Sequence, residues 1–418
     1  MFESTEKNAA IGTYEDIWLV AGQRTPFADY MSVLSGVSPT DLGIHVARAV
    51  LARSGVPAED VDSIVAGNVA QSSFDAYYLP RQIGLYAGVP LGVPAMSVHR
   101  LCGTGFETIL TAADQIKLGK ARVALCVGTE SMSRTPVAAF SHRTGFKMGK
   151  VEFGDFLWEA TLDTTSGTRM GETAENLARR YGISRADVDR FAEQSFSRAT
   201  KSWDEGFYTD EIAPITEQTW ALEDYKPRGI KLPKKVQRFE RDEHVKPSSF
   251  ETLQALRPAF GKDGVQTGGN SSAIVDGAGA VLVASGSYVR AHGLKPLARI
   301  VAGSSVGVPP EFMGIGPVPA VRAMLKALRI QPNEIDRYEI NEAFGAQYLA
   351  VERELELDRD RVNVHGGAIA IGHPLAASGV RLTTTVAREL QRSQGRLGIS
   401  SACAGGGQGV AILLERAA

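Results

Sequence analysis

Three cysteines in 418 residues are too few, and odd in number, for a disulfide framework, which suits a reducing compartment. Long apolar runs are missing as well: no stretch of about 18 apolar residues occurs, so no membrane-spanning helix is expected. The net charge is only -2, which removes the general electrostatic basis for binding nucleic acid or an anionic membrane. The N-terminal stretch is polar and acidic, with neither an apolar core nor an Arg-rich bias, and the default reading is a cytoplasmic protein. The seven histidines and three cysteines show no C-x2-C or H-E-x-x-H spacing. Neither a G-x-x-x-x-G-K-[ST] loop nor a G-x-S-x-G elbow is present. Metal, P-loop and serine-hydrolase chemistry are thereby set aside.

What is present is enough apolar material, 44% of residues, to build a sizeable core. The chain also repeats itself in order. An amphipathic stretch at 41–55 leads through the turn Val56-Pro57-Ala58-Glu59-Asp60 to an apolar strand at 64–68. A second stretch, 319–330, leads through Gln331-Pro332-Asn333-Glu334 to 338–344. A strand at 95–98 then runs to Cys102 and a helix at 105–117, matched by 361–364, the glycine turn 366–374 and a helix at 378–391. Each half closes with a strand, 123–128 and 397–401. Strands alternating with helices imply an α/β fold of βαβ units, mostly parallel sheets, and two pseudo-symmetric halves. Cys102 and the His373 turn then sit at equivalent strand ends, where sites in such folds gather.

Between 141 and 269 the pattern breaks into helices followed by an irregular stretch, which reads as an insertion over the cleft. Within it, residues 226–246 hold eight Lys or Arg against three acids, a local charge of +5. Such a run is either a solvated loop or an electrostatic perch for a polyphosphate ligand.

The chemistry gathers on three residues. Cys102 precedes a helix, whose dipole and unpaired N–H groups are expected to lower its thiol from about 8.5 into the range of roughly 3.5 to 7.5. A cysteine at a strand end packs more often than it reacts. His373, held between Gly372 and Pro374, changes that balance by offering an imidazole to the thiol. Cys403, followed by three glycines, resembles neither a core strand residue nor a metal ligand; its turn offers N–H groups for an oxyanion hole. Cys126, in an apolar strand, is read as core.

Several motifs together resemble the thiolase family over essentially the whole chain after about residue 14. They are Cys102-Gly103-Thr104-Gly105, Gly128-Thr129-Glu130-Ser131-Met132-Ser133, Met170-Gly171-Glu172-Thr173, Asn341-Glu342-Ala343-Phe344, the run from Gly366 to Pro374 and the Cys403 turn. The resemblance implies two βαβαβαββ halves in an α-β-α-β-α layering with an inserted lid. The first half is 1–142 with 274–296, the lid 143–273 and the second half 297–418. It also implies reversible acyl transfer between coenzyme A thioesters, by thiolysis of a 3-ketoacyl-CoA or the Claisen reverse. Cys102 would carry the acyl group, His373 would activate it, and Cys403 would move the α-carbon proton. His373 with a water held by Asn341 would form one oxyanion hole, the N–H groups of Cys102 and Gly405 the other. Ser272, Met313, Met170, Phe344 and Lys246 would contact substrate, with no cofactor beyond the CoA thioesters themselves. A homodimer or homotetramer is expected on the same ground. Ala376-Ala377 and Ala273 stand where glycine is common in the family, which suggests a narrower pocket. The alternatives are a carrier-protein ketosynthase, disfavoured by Asn341 where such enzymes have a second histidine, and a catalytically degenerate CoA-binding protein.

Overall fold

The computed structural model describes residues 6–140 and 142–417, so the first five residues of the polar N-terminal stretch lie outside it. Two halves repeat one element order. Ile17–Arg24, Pro39–Ser54, Ser63–Gly67, Leu79–Ala87, Ala95–Ser97, Thr104–Lys117, Val123–Glu130 and Val275–Ser285 run strand, helix, strand, helix, strand, helix, strand, strand. Ala298–Gly307, Pro317–Leu328, Arg337–Ile340, Gly345–Leu355, Leu375–Ser393, Leu397–Ala404 and Gln408–Arg416 follow the same plan. Only the third strand is missing from the second half, reduced to a parallel bridge between Tyr338 and Val362. Even the corner chemistry repeats: Asp62 accepts the N–H groups of Arg122 and Val123, and Asp336 those of Arg396 and Leu397.

The sheets differ from the mostly parallel arrangement expected. Parallel pairing is confined to the outer strands, Ser63–Gly67 with Ala95–Ser97 and Val123–Glu130, and Arg337–Ile340 with Leu397–Ala404. Antiparallel ladders join the inner strands, and the halves meet through Leu19 opposite Ala298 and Trp18 opposite Arg299. The reason is local. The last strand of each half runs back antiparallel along its predecessor, directly through a hairpin in the second half and after the whole insertion in the first. The stretch read as irregular also carries a hairpin, Gln218–Leu222 against Tyr225–Ile230.

Layering follows from alternation along the strands. Val123, Leu125 and Val127 pack with the outer helices Pro39–Ser54 and Leu79–Ala87, whereas Ala124 and Cys126 face the inner helices with Phe106, Ile109 and Val380. In the second half Ala411 and Leu413 face outward and Val410, Ile412 and Leu414 inward. Thr104–Lys117 and Leu375–Ser393 thus form a central layer between the two halves of the continuous sheet. Their crossing is set by glycine. A Cβ on Gly379 would lie 2.3 Å from the Phe106 nitrogen, one on Gly105 2.6 Å from the Ala376 carbonyl oxygen, and one on Gly128 2.0 Å from that same oxygen. Backbone touches backbone here, which brings the N-terminal ends of both helices to one place.

The insertion packs mainly on the second half. Phe191 of Arg185–Asp204 stacks on Tyr348 of Gly345–Leu355 with ring centroids 4.1 Å apart. Of the eight basic residues in 226–246, Arg228 is committed to Asp41 and Asp75, while Arg238 pairs with Glu240 and Arg241 with Asp204. Lys231, Lys234, Lys235 and Lys246 are exposed.

Candidate active site

Cys102 stands in a short 3-10 turn, Leu101–Gly103, that feeds directly into Thr104–Lys117. Leu101 takes a left-handed backbone, φ 49°, uncommon for a leucine and a mark of strain held by its surroundings. The turn is tied to that of Cys403 by side chains. Arg100 pairs with Glu107 at 2.7 Å and donates to Gln408 Oε1 at 3.1 Å, while Gln408 Nε2 donates to the Gly405 carbonyl at 3.1 Å. The Gly405 N–H in turn hydrogen-bonds the Cys102 sulfur. A Cβ at 405 would sit 2.9 Å from Leu101 Cδ1, so a side chain there would push that methyl group aside.

His373 is buried, and its orientation is fixed at three points. Its backbone N–H donates to the Ala273 carbonyl at 3.0 Å. Gly372 before it takes φ 106°, and a Cβ there would meet Val275 at 2.5 Å. On the ring, Nδ1 lies 2.5 Å from Ser378 Oγ, and that hydroxyl reaches the Pro374 carbonyl at 3.2 Å. With the hydroxyl donating to the carbonyl, its oxygen accepts from Nδ1–H, which leaves Nε2 unprotonated and able to accept. Asn341 Nδ2 approaches this nitrogen at 3.4 Å, while Asn341 Oδ1 is buried with no protein partner. An unpartnered buried acceptor beside a basic nitrogen is a place for a water, which can donate to it.

Asn341 itself is clasped from behind. Asn363 Oδ1 accepts from the Ile340 N–H and its Nδ2 donates to the Ile340 carbonyl, both at 2.8 Å, and also reaches Glu342 Oε1 at 2.9 Å. Glu342 Oε2 takes Ser195 Oγ at 2.7 Å and the Ile369 N–H at 3.2 Å. The buried carboxylate thus joins the Asn341 segment to the turn that leads to His373. Glu342 and Glu130 lay inside the quoted motifs without a role; an acid beside an apolar run was the available signal. Asn363 and Ser378 carried none.

The charge states differ from the expectation. Burial pushes the Cys102 thiol up to about 11, with Glu130 adding to the rise, against the N–H groups of Gly405 and of Cys102 itself. The helix-terminus effect is present, but desolvation outweighs it. Burial, with the Arg381 guanidinium adding to it, pushes His373 down to about 3. The resting pair is therefore a neutral thiol and a neutral imidazole. Because His373 is lowered from about 6.5 in an unfolded chain, its contribution to stability is complete above that pH and is lost as pH falls toward 3. We expect the alkylation rate of Cys102 by iodoacetamide, followed by peptide mass, to keep rising past pH 9 instead of levelling near 8.5. A plateau below pH 8 would refute the neutral pair.

Cys403 is a core strand residue after all, correcting the reading that set it outside a strand. It is the penultimate residue of Leu397–Ala404, fully buried and opposite Gly409. The strand reaches that far because the following hairpin is turned by Gly406 and Gly407, both left-handed. Burial raises its thiol strongly, and the Cys102 thiol close by adds to the rise. Around it gather Met313, Ala343, Met170 and Phe344 in one apolar cluster, and Phe260 meets Phe344 edge-on with centroids 5.9 Å apart. Ser272 adjoins this cluster through its N–H to the Ala343 carbonyl, at 3.0 Å. Lys246 lies exposed on the surface, near Asp29, whose carboxyl is lowered by the hydrogen bond from His244 with Lys246 adding to it. Ala376 and Ala377 are buried in the helix crossing. Among the described residues no group of three or more His, Cys, Asp or Glu is placed to hold a metal ion, and no helix is long and apolar enough to cross a membrane.

The thiolase N-terminal domain model matches residues 17–287 and the thiolase C-terminal domain model residues 294–416. The chain is 44% identical to the human mitochondrial 3-ketoacyl-CoA thiolase over 404 residues, 96% of this chain and 98% of that one. It is 40% identical to the acetyl-CoA acetyltransferase of Pseudomonas aeruginosa over 404 residues, 96% and 100% of the two chains. The crystal structure of the human mitochondrial 3-ketoacyl-CoA thiolase in complex with CoA superposes with a TM-score of 0.90 at 43% identity, covering 96% of this chain and 98% of that one. These names overturn the cytoplasmic expectation, since the human, bovine and mouse relatives are all called mitochondrial. That expectation rested on the lack of a targeting pattern, which carries no positive information about compartment. Two family models that together span nearly the whole chain, and relatives this similar over its full length, make the chain a member of the thiolase family.

Proposed function

We propose that the protein is an acyltransferase that exchanges acyl groups between coenzyme A thioesters through an acyl-Cys102 intermediate. The observation that carries this is the meeting of the part-exposed Cys102, the buried Cys403 and the Gly405 N–H with the turn of His373, whose imidazole has Nε2 unprotonated and which the Gly105–Ala376 contact brings to the same corner. In the cleavage direction His373 Nε2 takes the Cys102 proton, and the thiolate attacks the 3-keto carbon of the substrate. The C2–C3 bond breaks, the electron pair moves onto the acetyl-CoA fragment as an enolate, and the Cys403 thiol protonates its carbon. Acetyl-CoA leaves. The Cys403 thiolate then takes the thiol proton of a second CoA, whose sulfur attacks the acyl-Cys102 carbonyl. Acyl-CoA departs, and His373 returns the proton to Cys102.

In this scheme the N–H groups of Cys102 and Gly405 receive the tetrahedral oxyanion, and Asn341 with His373 receives the enolate oxygen. Asn341→Ala is expected to lower kcat by about 10²- to 10³-fold with KM nearly unchanged, since only charge developing in the transition state uses this contact. Steady-state thiolysis of acetoacetyl-CoA checks it, and an equal rise in KM would argue for ground-state binding instead.

The substrate would reach the cysteines past Met170, Met313, Phe344 and Ser272, with residues 143–273 as its cover and Lys246 toward the CoA phosphates. The halves 1–142 with 274–296 and 297–418 supply the nucleophile and its partners respectively. A homodimer or homotetramer fits the outermost strand, Ala95–Ser97, part-exposed and carrying Met96 at 43% exposure. The decisive experiment is mass labelling of Cys102 by acetyl-CoA and by 3-ketoacyl-CoAs of graded length, alongside thiolysis rates. A label on Cys102 supports the reading. CoA binding without label or turnover would favour a degenerate CoA-binding protein.

A further inference from the structure

Glu130 ends the strand Val123–Glu130 of the first half and is completely buried, yet the reaction scheme does not use it. Four N–H groups converge on its carboxylate. Oε1 accepts from Asn68 Nδ2 at 2.7 Å and the Ala70 N–H at 3.0 Å, while Oε2 accepts from the N–H groups of Val69 and Ala376, each at 3.1 Å. Three of these donors belong to the first half. Ala376 belongs to the second, three residues after His373, in the first turn of Leu375–Ser393.

That helix lacks a cap of its own. Pro374 occupies the cap position and offers no side-chain acceptor, so the first-turn N–H groups depend on partners from elsewhere. A carboxylate is the strongest such partner, because it meets both the unpaired N–H and the positive end of the helix dipole. The same first turn holds Ser378, whose hydroxyl orients His373 Nδ1. We propose that Glu130 is a positioning residue for acyl transfer: from the half that carries Cys102 it caps the helix that orients His373, and so sets the two against each other.

This proposal rests on the assignment of Cys102 and His373 above. Its electrostatic surroundings are few: Asp276 faces Glu130, Glu130 and the Cys403 thiol face Cys102, and Arg381 faces His373. Burial, helped by Asp276, pushes the Glu130 carboxyl up to about 7, against the N–H groups that favour its ionised form. The residue is also acid-facing toward the thiol, which provides a readout that a purely structural role would not move.

Glu130→Gln in the full chain is the test. A glutamine amide supplies one acceptor oxygen where two are needed and turns its NH2 toward two N–H donors. Expected is a fall in kcat of roughly 10- to 100-fold, the scale of a small misplacement at a reacting pair, with KM for the acyl-CoA changed less than kcat. The pH midpoint of Cys102 alkylation should also move downward, because a negative charge facing the thiol is gone. Wild-type kcat together with a wild-type alkylation profile in folded Glu130→Gln overturns the proposal. Should that variant fail to fold, Asn68→Ala decides: it keeps the carboxylate and removes one donor, so a smaller loss of kcat supports the role and an unchanged kcat overturns it. Acyl labelling of the unsubstituted protein separates the two readings, since a label elsewhere than Cys102 sinks the underlying assignment and not the cap alone.

Discussion

Cys102→Ala is expected to leave a folded protein whose turnover has fallen by about 10⁴-fold or more. The reasoning has two parts. Structurally, the side chain is part-exposed at the end of a 3-10 turn, and the turn is held by backbone contacts and by Arg100, Glu107 and Gln408, none of which needs the sulfur. Chemically, nothing beside it can take over. Cys403 is fully buried in a strand, and its thiol is pushed up even more strongly than that of Cys102. The measurement is kcat for thiolysis, with melting temperature as the control for fold and intact mass for the acyl label. Residual turnover above about one thousandth of the original, on an intact fold, would remove Cys102 as the nucleophile.

The second large effect is one of assembly. Gly379→Ala places a methyl group 2.3 Å from the Phe106 nitrogen and 2.7 Å from the Gly105 carbonyl carbon, at the crossing of the two central helices. Overpacking a core costs about 1 to 3 kcal/mol when side chains can shift. Here the opposing atoms are backbone, so the helices themselves must separate, and we expect a loss at or above the upper end of that range, about 3 kcal/mol. The active site should suffer as well, because the crossing brings the Cys102 turn and the His373 turn together. Urea unfolding gives the stability change, and acyl labelling of whatever remains folded gives the second reading. A variant with unchanged midpoint and unchanged labelling would show that the helices can part without consequence.

Residue types were legible in the chain, and their ionisation was not. The spacing of Cys102, His373 and Cys403 among glycines pointed to a thiol chemistry because such turns are unusual for packing residues. The direction of the Cys102 shift came out reversed. A helix start is visible in a sequence, whereas the desolvation that outweighs it depends on how the second half closes over the first. Cys403 shows the same limit: three following glycines read as a loose turn, but the strand continues through the cysteine and the hairpin lies beyond it. Parallel against antiparallel pairing was likewise beyond reach, since it is set by which strand returns beside which.

By itself the sequence determined the element order of the two halves apart from the strand expected at 361–364, the corners that carry Cys102 and His373, the core role of Cys126 and the family to which the chain belongs. These are local properties of periodicity, turn chemistry and motif, written into consecutive residues. Only the tertiary structure decided that Ser378 leaves His373 Nε2 unprotonated, that Asn363 holds the residues on either side of Asn341, and that Glu130 reaches across to Ala376. The last joins the two halves and depends on the backbone crossing at Gly105 and Gly379, while the first two depend on how the turns of the second half fold onto one another.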